Sequence, residues 1–208
     1  MDAKVKTVID IYHERIREEH DRMRRGTLAQ SGQGGGDFRS QAFLAVGPDA
    51  GELINILARS LKAPNILELG TSFGYSGIWL AEAARASGGR LTTMEIEEHK
   101  SAYAREMSVK AGLADYVDFK VGDAVKMINE LPGKIDFVLL DLWKDLYVPC
   151  LDAFYPKLSD GAIIVADNMI RPGGPDIARY AKAVRAKPKM SSILVPVGQG
   201  LEISVYNG

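Results

Sequence analysis

The sequence predicts an α/β fold: a doubly wound, mostly parallel seven-stranded sheet with a C-terminal antiparallel hairpin and an N-terminal helical extension. Three observations carry that expectation. Strand-like runs alternate with helix-like runs from Pro48 onward, the order that builds βαβ units. Runs such as Phe137-Val138-Leu139-Leu140 and Ile163-Ile164-Val165 are apolar on both faces, as in strands covered by helices on each side. The last two strand candidates, Ile193–Val197 and Leu201–Tyr206, are separated only by Gly198-Gln199-Gly200. That connection is too short for a parallel crossover, so it joins antiparallel neighbours.

The elements follow in order. Val5, Val8, Ile9, Tyr12, Ile16 and Met23 fall near helical spacing, which predicts one amphipathic helix over about 3–25. Gly26 to Asp37 holds Gly32 and the run Gly34-Gly35-Gly36, which no regular element tolerates; it reads as a linker or as a lid over a site. Pro48 and Asp49 open a helix with Leu53, Ile54, Leu57 and Leu61 on one face, and Pro64 follows its end. Strands are then expected at Asn65–Leu69, Arg90–Glu95, Tyr116–Val121, Ile135–Leu140 and Ala162–Ala166, with helices at about 75–87, 97–111, 123–131, 145–158 and 175–186. One domain spans 1–208: the helix and glycine-rich segment (1–47), then the Rossmann-like core (48–208).

Composition narrows the function. With 208 residues the chain can bury a full core without disulfides or a structural metal. Lys+Arg number 26 and Asp+Glu 27, a formal net charge of −1, so no basic excess points to nucleic acid. Cys150 is the lone cysteine; it excludes a disulfide framework and reads as a small core hydrophobe. No apolar run reaches the ~20 residues of a membrane span. The expectation is a cytoplasmic protein, monomer or homodimer, acting on a small molecule, with neither a nucleic acid nor a membrane as partner.

In such sheets ligands bind outside the carboxyl ends of the strands. The first strand ends in Glu68-Leu69-Gly70-Thr71-Ser72-Phe73-Gly74-Tyr75-Ser76-Gly77. A dinucleotide site fits poorly, because the glycine spacing departs from G-x-G-x-x-G and Glu68 would repel a pyrophosphate. Gly70 to Gly74 matches the G-x-S-x-G of a hydrolase nucleophile elbow, but no histidine follows His99 to complete a triad. S-adenosylmethionine fits better. It carries an ammonium, a carboxylate and a sulfonium, and a glycine turn beside a carboxylate suits a cation. Glu95, ending the second strand, is placed to accept two ribose hydroxyls, or else serves as a helix N-terminal acid.

The fourth strand ends at Asp141 and the fifth at Asp167-Asn168. Neighbouring strand ends bring two carboxylates and an amide together, an all-oxygen set that suits Mg²⁺. The bland alternative is that Asp167-Asn168 shapes a turn and Asp141 caps a helix. Lys144 beside a divalent cation suits a general base, or a surface ion pair. Trp143 reads as an aromatic wall or as core.

These residues carry a resemblance. Asp141-Leu142-Trp143-Lys144-Asp145-Leu146-Tyr147 and Ala166-Asp167-Asn168-Met169-Ile170-Arg171-Pro172-Gly173-Gly174-Pro175-Asp176 resemble the two metal-site motifs of the catechol O-methyltransferases. Glu68-Leu69-Gly70 with Gly74-Tyr75-Ser76 resembles their cofactor turn, Thr93-Met94-Glu95 their ribose-binding strand, Gly200-Leu201-Glu202 their C-terminal substrate segment and Ala45-Val46-Gly47 the stretch under the methionine end of the cofactor.

The resemblance implies a class I methyltransferase fold and Mg²⁺-dependent methyl transfer from S-adenosylmethionine to a catechol. Asp141, Asp167 and Asn168 would bind Mg²⁺, with Mn²⁺ or Ca²⁺ as substitutes. Lys144 would take the hydroxyl proton, and Glu202 would hold the second hydroxyl. Val46, Glu68, Gly70, Ser72, Gly74, Ser76, Glu95, Ile96, Asp123, Ala124, Asp141 and Trp143 would surround the cofactor. Leu44, Trp143, Pro172 and Leu201 would line the substrate slot. Leu142 stands where the animal enzymes carry a histidine, Ala124 and Val125 replace a polar pair, and Ala42 replaces a tryptophan, which bears on substrate range. The rival readings are another chelating acceptor (a caffeoyl thioester, a flavonoid, a hydroxamate) and a non-catalytic cofactor-binding protein.

Overall fold

The computed structural model describes residues 1–24, 43 and 45–208. Seven strands form one sheet: β1 (Asn65–Leu69), β2 (Arg90–Glu95), β3 (Val117–Val121), β4 (Ile135–Leu140), β5 (Leu158–Ala166), β6 (Met190–Val195) and β7 (Leu201–Tyr206). Their order is β3-β2-β1-β4-β5-β7-β6. Strands β1 to β5 pair in parallel, and β7 is antiparallel to both β5 and β6. The winding reverses between β1 and β4, where a crevice opens at the carboxyl ends of the strands.

Helices α1 (Ala3–Arg24), α2 (Pro48–Arg59), α3 (Tyr75–Ser87) and α4 (Glu98–Lys110) share a buried cluster with one face of the sheet. Helices α5 (Ala124–Glu130), α6 (Tyr147–Phe154) and α7 (Pro175–Ala186) cover the other face. Helix α1 buries Val5, Val8, Ile9 and Tyr12, as its spacing predicts, and Asp2 caps it by accepting from the Val5 amide at 3.0 Å. In α3 every residue from Tyr75 to Ala84 is buried, because other helices and the sheet enclose it.

Three expected boundaries move. The helix expected over 145–158 is a 3₁₀ turn (Lys144–Leu146), then α6, then a second 3₁₀ turn (Tyr155–Lys157). Pro156 has no amide to continue the helix. Strand β5 begins at Leu158, not at Ala162, because Leu158 pairs with Ile135 ahead of a register shift. Ser159-Asp160-Gly161 lies within that irregular stretch, with Gly161 at φ +77°. Strand β6 covers Met190–Val195, where 193–197 was expected, since Pro196 cannot donate to a ladder. The loop to β7 therefore has Pro196 to Gly200. The glycine-rich segment 32–36, Ala42 and Leu44 lie outside the described residues. Among the described residues no helix is long and apolar enough to cross a membrane.

Candidate active site

Strand β1 delivers the first wall. Gly70 follows it at φ +102°, and a Cβ there would lie 2.1 Å from the Asp141 carbonyl oxygen. Only glycine lets the ends of β1 and β4 approach this closely. The Gly70 and Thr71 amides donate to Met94 O, and the Gly74 amide closes the turn on Thr71 O. Gly74 at φ +90° caps α3, and Ser72 is held in the left-handed region at φ +47°. The resulting cleft is lined by Phe43, Ala45, Gly70, Ser72, Ser76 and Asp141, among others.

Glu68 lies beneath this turn, fully buried. Thr93 donates to its Oε2 at 2.5 Å, while its Oε1 has no hydrogen-bond partner among the described residues. Burial pushes its carboxyl up to about 7, with the Ser76 and Thr93 hydroxyls opposing that rise. A buried acid with a spare oxygen is suited to an incoming cation. Glu95 is held differently. Its Oε2 accepts from the Ser72 amide at 2.8 Å and its Oε1 from the amides of Ile96 (2.9 Å) and Glu97 (3.0 Å). A carboxylate offers about four acceptor positions and three are taken, so this clamp leaves about one for a hydroxyl donor.

The second wall comes from β4 and β5. Leu140 and Ala166 are register partners, and the ladder continues through the Asp141 and Asp167 amides, which donate to Leu69 O and Leu140 O. Asp141 and Asp167 thus occupy adjacent strand ends, as predicted. Lys144 Nζ donates to Asn168 Oδ1 at 2.6 Å, Tyr147 Oη at 2.8 Å and Asp141 Oδ1 at 3.2 Å. Asp167 is 1% exposed, and its Oδ1 has no hydrogen-bond partner among the described residues. Burial first, then repulsion from Asp141, raises its carboxyl well above the usual carboxylate range. Burial also raises Asp141, against the pull of Lys144. Asn168 sits in the left-handed region at φ +61°.

This donor set fits a hard cation. A buried carboxylate with an orphan oxygen and a partly buried one stand beside an amide oxygen, and a divalent ion would offset both the repulsion and the desolvation. Among the described residues no group of three His, Cys, Asp or Glu could hold a metal ion.

The remaining expected residues divide. Val46 and Leu201 are buried in the core cluster of the α1–α4 face. Trp143 (43% exposed) and Pro172 are exposed. The turn before Pro172 docks on the β6–β7 loop, with the Met169 amide on Gly200 O and those of Ile170 and Arg171 on Gln199 O. Asp123 caps α5 by accepting from the Lys126 amide at 2.9 Å, next to Ala124; Ile96 is exposed.

Glu202 departs from its expected role. It was expected to face a substrate hydroxyl. Its fully buried carboxylate instead takes Arg185 Nε at 2.7 Å, Arg185 Nη2 at 2.8 Å and the Ser192 hydroxyl at 2.6 Å. Ser192 pairs with Ser204, two residues deeper along β7 than Glu202. The acid is therefore drawn along the sheet, away from the strand ends that carry Asp141 and Asp167. Its register position was legible in the sequence; its partner was not, because Arg185 comes from α7.

Sequence reasoning missed Tyr147 and the struts from α1. Tyr12 Oη donates to Phe73 O at 2.7 Å, His13 meets Tyr75 Oη at 2.9 Å, and the Glu19 carboxylate accepts the Phe43 amide. Phe43 stacks on Phe73 with centroids 5.2 Å apart. The periodicity of α1 announces its buried stripe, but nothing in it announces these polar contacts.

The family model described as O-methyltransferase matches residues 37–205. Mouse catechol O-methyltransferase is 35% identical over 174 residues, covering 78% of this chain and 65% of that protein. Catechol O-methyltransferase from Niastella koreensis is 36% identical over 134 residues, covering 62% of this chain and 60% of its own length. The chain thus spans less than two thirds of these curated relatives. An O-methyltransferase structure from Bacillus cereus in complex with SAH superposes with a TM-score of 0.76 at 25% identity, over 99% of this chain and 91% of that one.

Proposed function

The chain belongs to the O-methyltransferase family, and from that premise we propose that it moves a methyl group from S-adenosylmethionine to one hydroxyl of a catechol-type small molecule, with Mg²⁺ at the ends of β4 and β5. The observation that carries this is the convergence of Asp141, Asp167, Asn168 and Lys144 beside the Gly70 cleft. The names of the curated relatives support a catechol as the acceptor, and the Bacillus cereus complex supports the cofactor.

When bound, the cofactor supplies an electrophilic methyl and Mg²⁺ a Lewis acid that favours ionised oxygens. The chain does the rest. Glu68 would supply negative charge for the cofactor's ammonium, and Glu95 would accept from a ribose hydroxyl. The Gly70 turn admits it closely, and Asp123-Ala124 borders its adenine. Asp141, Asp167 and Asn168 hold the cation. Lys144 Nζ, in its unprotonated form, would receive the acceptor's hydroxyl proton, which matters because a free phenol ionises only near pH 10. Trp143 and Pro172 wall the slot, while Leu201 packs in the core beneath it; Leu44 lies outside the described residues. Alignment in a near-attack geometry supplies roughly 7–11 kcal/mol of the barrier. Two vicinal oxygens chelate, so a monophenol is a poor acceptor.

The test is a methyltransferase assay with S-adenosylmethionine and caffeic or protocatechuic acid, run with Mg²⁺ and with EDTA. Methylated product only with Mg²⁺ is expected, and Lys144→Ala should lower kcat by orders of magnitude. No product in either condition, from protein that still binds the cofactor, would overturn the catechol assignment; product undiminished in EDTA would overturn the metal.

A further inference from the structure

The Tyr147 hydroxyl touches both halves of the acidic site. It accepts from Lys144 Nζ at 2.8 Å and donates to the Asp167 carbonyl oxygen at 3.1 Å. Its side chain is fully buried on the first turn of α6, and Lys144 Nζ also stands 4.7 Å from its ring centroid. A lysine amine rides on a flexible four-carbon stem, so its position depends on what holds it. Three oxygens hold this one: Asn168 Oδ1, Asp141 Oδ1 and Tyr147 Oη. Asp141 and Asn168 are also the oxygens assigned to the cation. The tyrosine hydroxyl has no such second role. Its proton is committed to Asp167 O, which leaves its lone pairs for the amine. The same bond fastens the turn after β4 to the end of β5, next to the left-handed Asn168.

We propose that Tyr147 is a positioning residue, whose hydroxyl holds the Lys144 amine at the Asp141–Asn168 end of the cleft and ties that amine to the strand end bearing Asp167. This rests on the reading of Lys144 as the proton acceptor. It assigns the tyrosine no contact with substrate or cofactor. Tyr147→Phe keeps the ring and its edge-to-face packing on Tyr180 (centroids 5.3 Å apart), so it removes only the hydroxyl.

Two readouts test this. The first needs no acceptor: timed acylation of the full chain with an amine-reactive ester, followed by mass spectrometry of the Lys144 peptide. Tyr147→Phe should label Lys144 severalfold faster, while Lys110, 53% exposed, labels at an unchanged rate. Tyr180→Phe, which removes a buried hydroxyl from the same aromatic pair but is bonded to neither Lys144 nor Asp167, should change neither. The second is steady-state kinetics with S-adenosylmethionine, Mg²⁺ and caffeic acid. There Tyr147→Phe should lower kcat about 10- to 100-fold, the loss of one hydrogen bond to a charged group, with both KM values nearly unchanged. Unchanged Lys144 labelling would overturn the proposal, and so would faster labelling with kcat intact. If the wild-type chain turns over no catechol, the function reading fails while the labelling arm still decides whether Tyr147 holds the amine.

Discussion

Asp167 shows what a single residue decides here. Its carboxylate is buried, one oxygen is unpartnered, and Asp141 stands beside it on the next strand. Such an arrangement is costly until a cation joins it. Asp167→Ala should therefore abolish turnover and weaken Mg²⁺ binding on the order of 100-fold or more. Cofactor affinity should stay within about threefold of wild type, since the residue lies outside the Gly70 turn. Calorimetric titration of metal and cofactor separately checks both, and wild-type metal affinity would remove the residue from the site. Asp141, Asp167 and Asn168 were legible in the sequence because each ends an apolar strand run. Tyr147 was not, because its spacing within α6 says only that it is buried, not that its hydroxyl meets an amine. Glu202 was legible in position but not in role: matching a family motif places a residue in the register, while a distant arginine decides where its carboxylate goes.

At the scale of elements, the β1–turn–α3 unit depends on backbone contact between β1 and β4. Gly70→Ala would drive a Cβ to 2.1 Å from Asp141 O, at a φ of +102°. Neither strand end can retreat without moving the acidic pair. The expected result is a fall in Tm of roughly 5–10 °C together with weakened cofactor binding. Gly133→Ala is the comparison: its φ is +77°, but nothing lies within 4 Å of the new Cβ. It should cost only the backbone strain, about 2–4 °C, and leave binding intact. Equal losses in thermal melts would show that φ, not strand approach, governs Gly70. The elements themselves were readable from their periodicity. The start of β5 was not, because Leu158 to Gly161 enters the sheet through a register shift that has no hydrophobic signature.

For the whole molecule, the buried Glu68 links stability to pH. Its carboxyl is raised from 4.5 to about 7. The folded chain therefore keeps this proton up to about pH 7, whereas the unfolded chain releases it near 4.5. Stability from this group is fully present below pH 4.5 and is lost as pH rises to about 7, by roughly 3 kcal/mol at most. Thermal melts across that window should show the decline, and Glu68→Gln should make it shallower, leaving the part that the raised Asp141 and Asp167 carboxyls contribute; an unchanged slope would exclude Glu68 as a source. Because an ammonium favours the ionised acid, stabilisation by S-adenosylmethionine should grow with pH over the same interval.

The sequence by itself determined the sheet, its mostly parallel winding, the closing antiparallel strands and the chemistry offered at the strand ends. Those properties follow from local periodicity and from the rule that ligands meet parallel sheets at their carboxyl edge. Only the tertiary structure decided which oxygens Lys144 touches, that Arg185 takes Glu202, and that α1 braces the cofactor turn. Each of these joins side chains from separate elements through hydrogen bonds a few ångströms long, and such pairings leave no periodic trace in the chain.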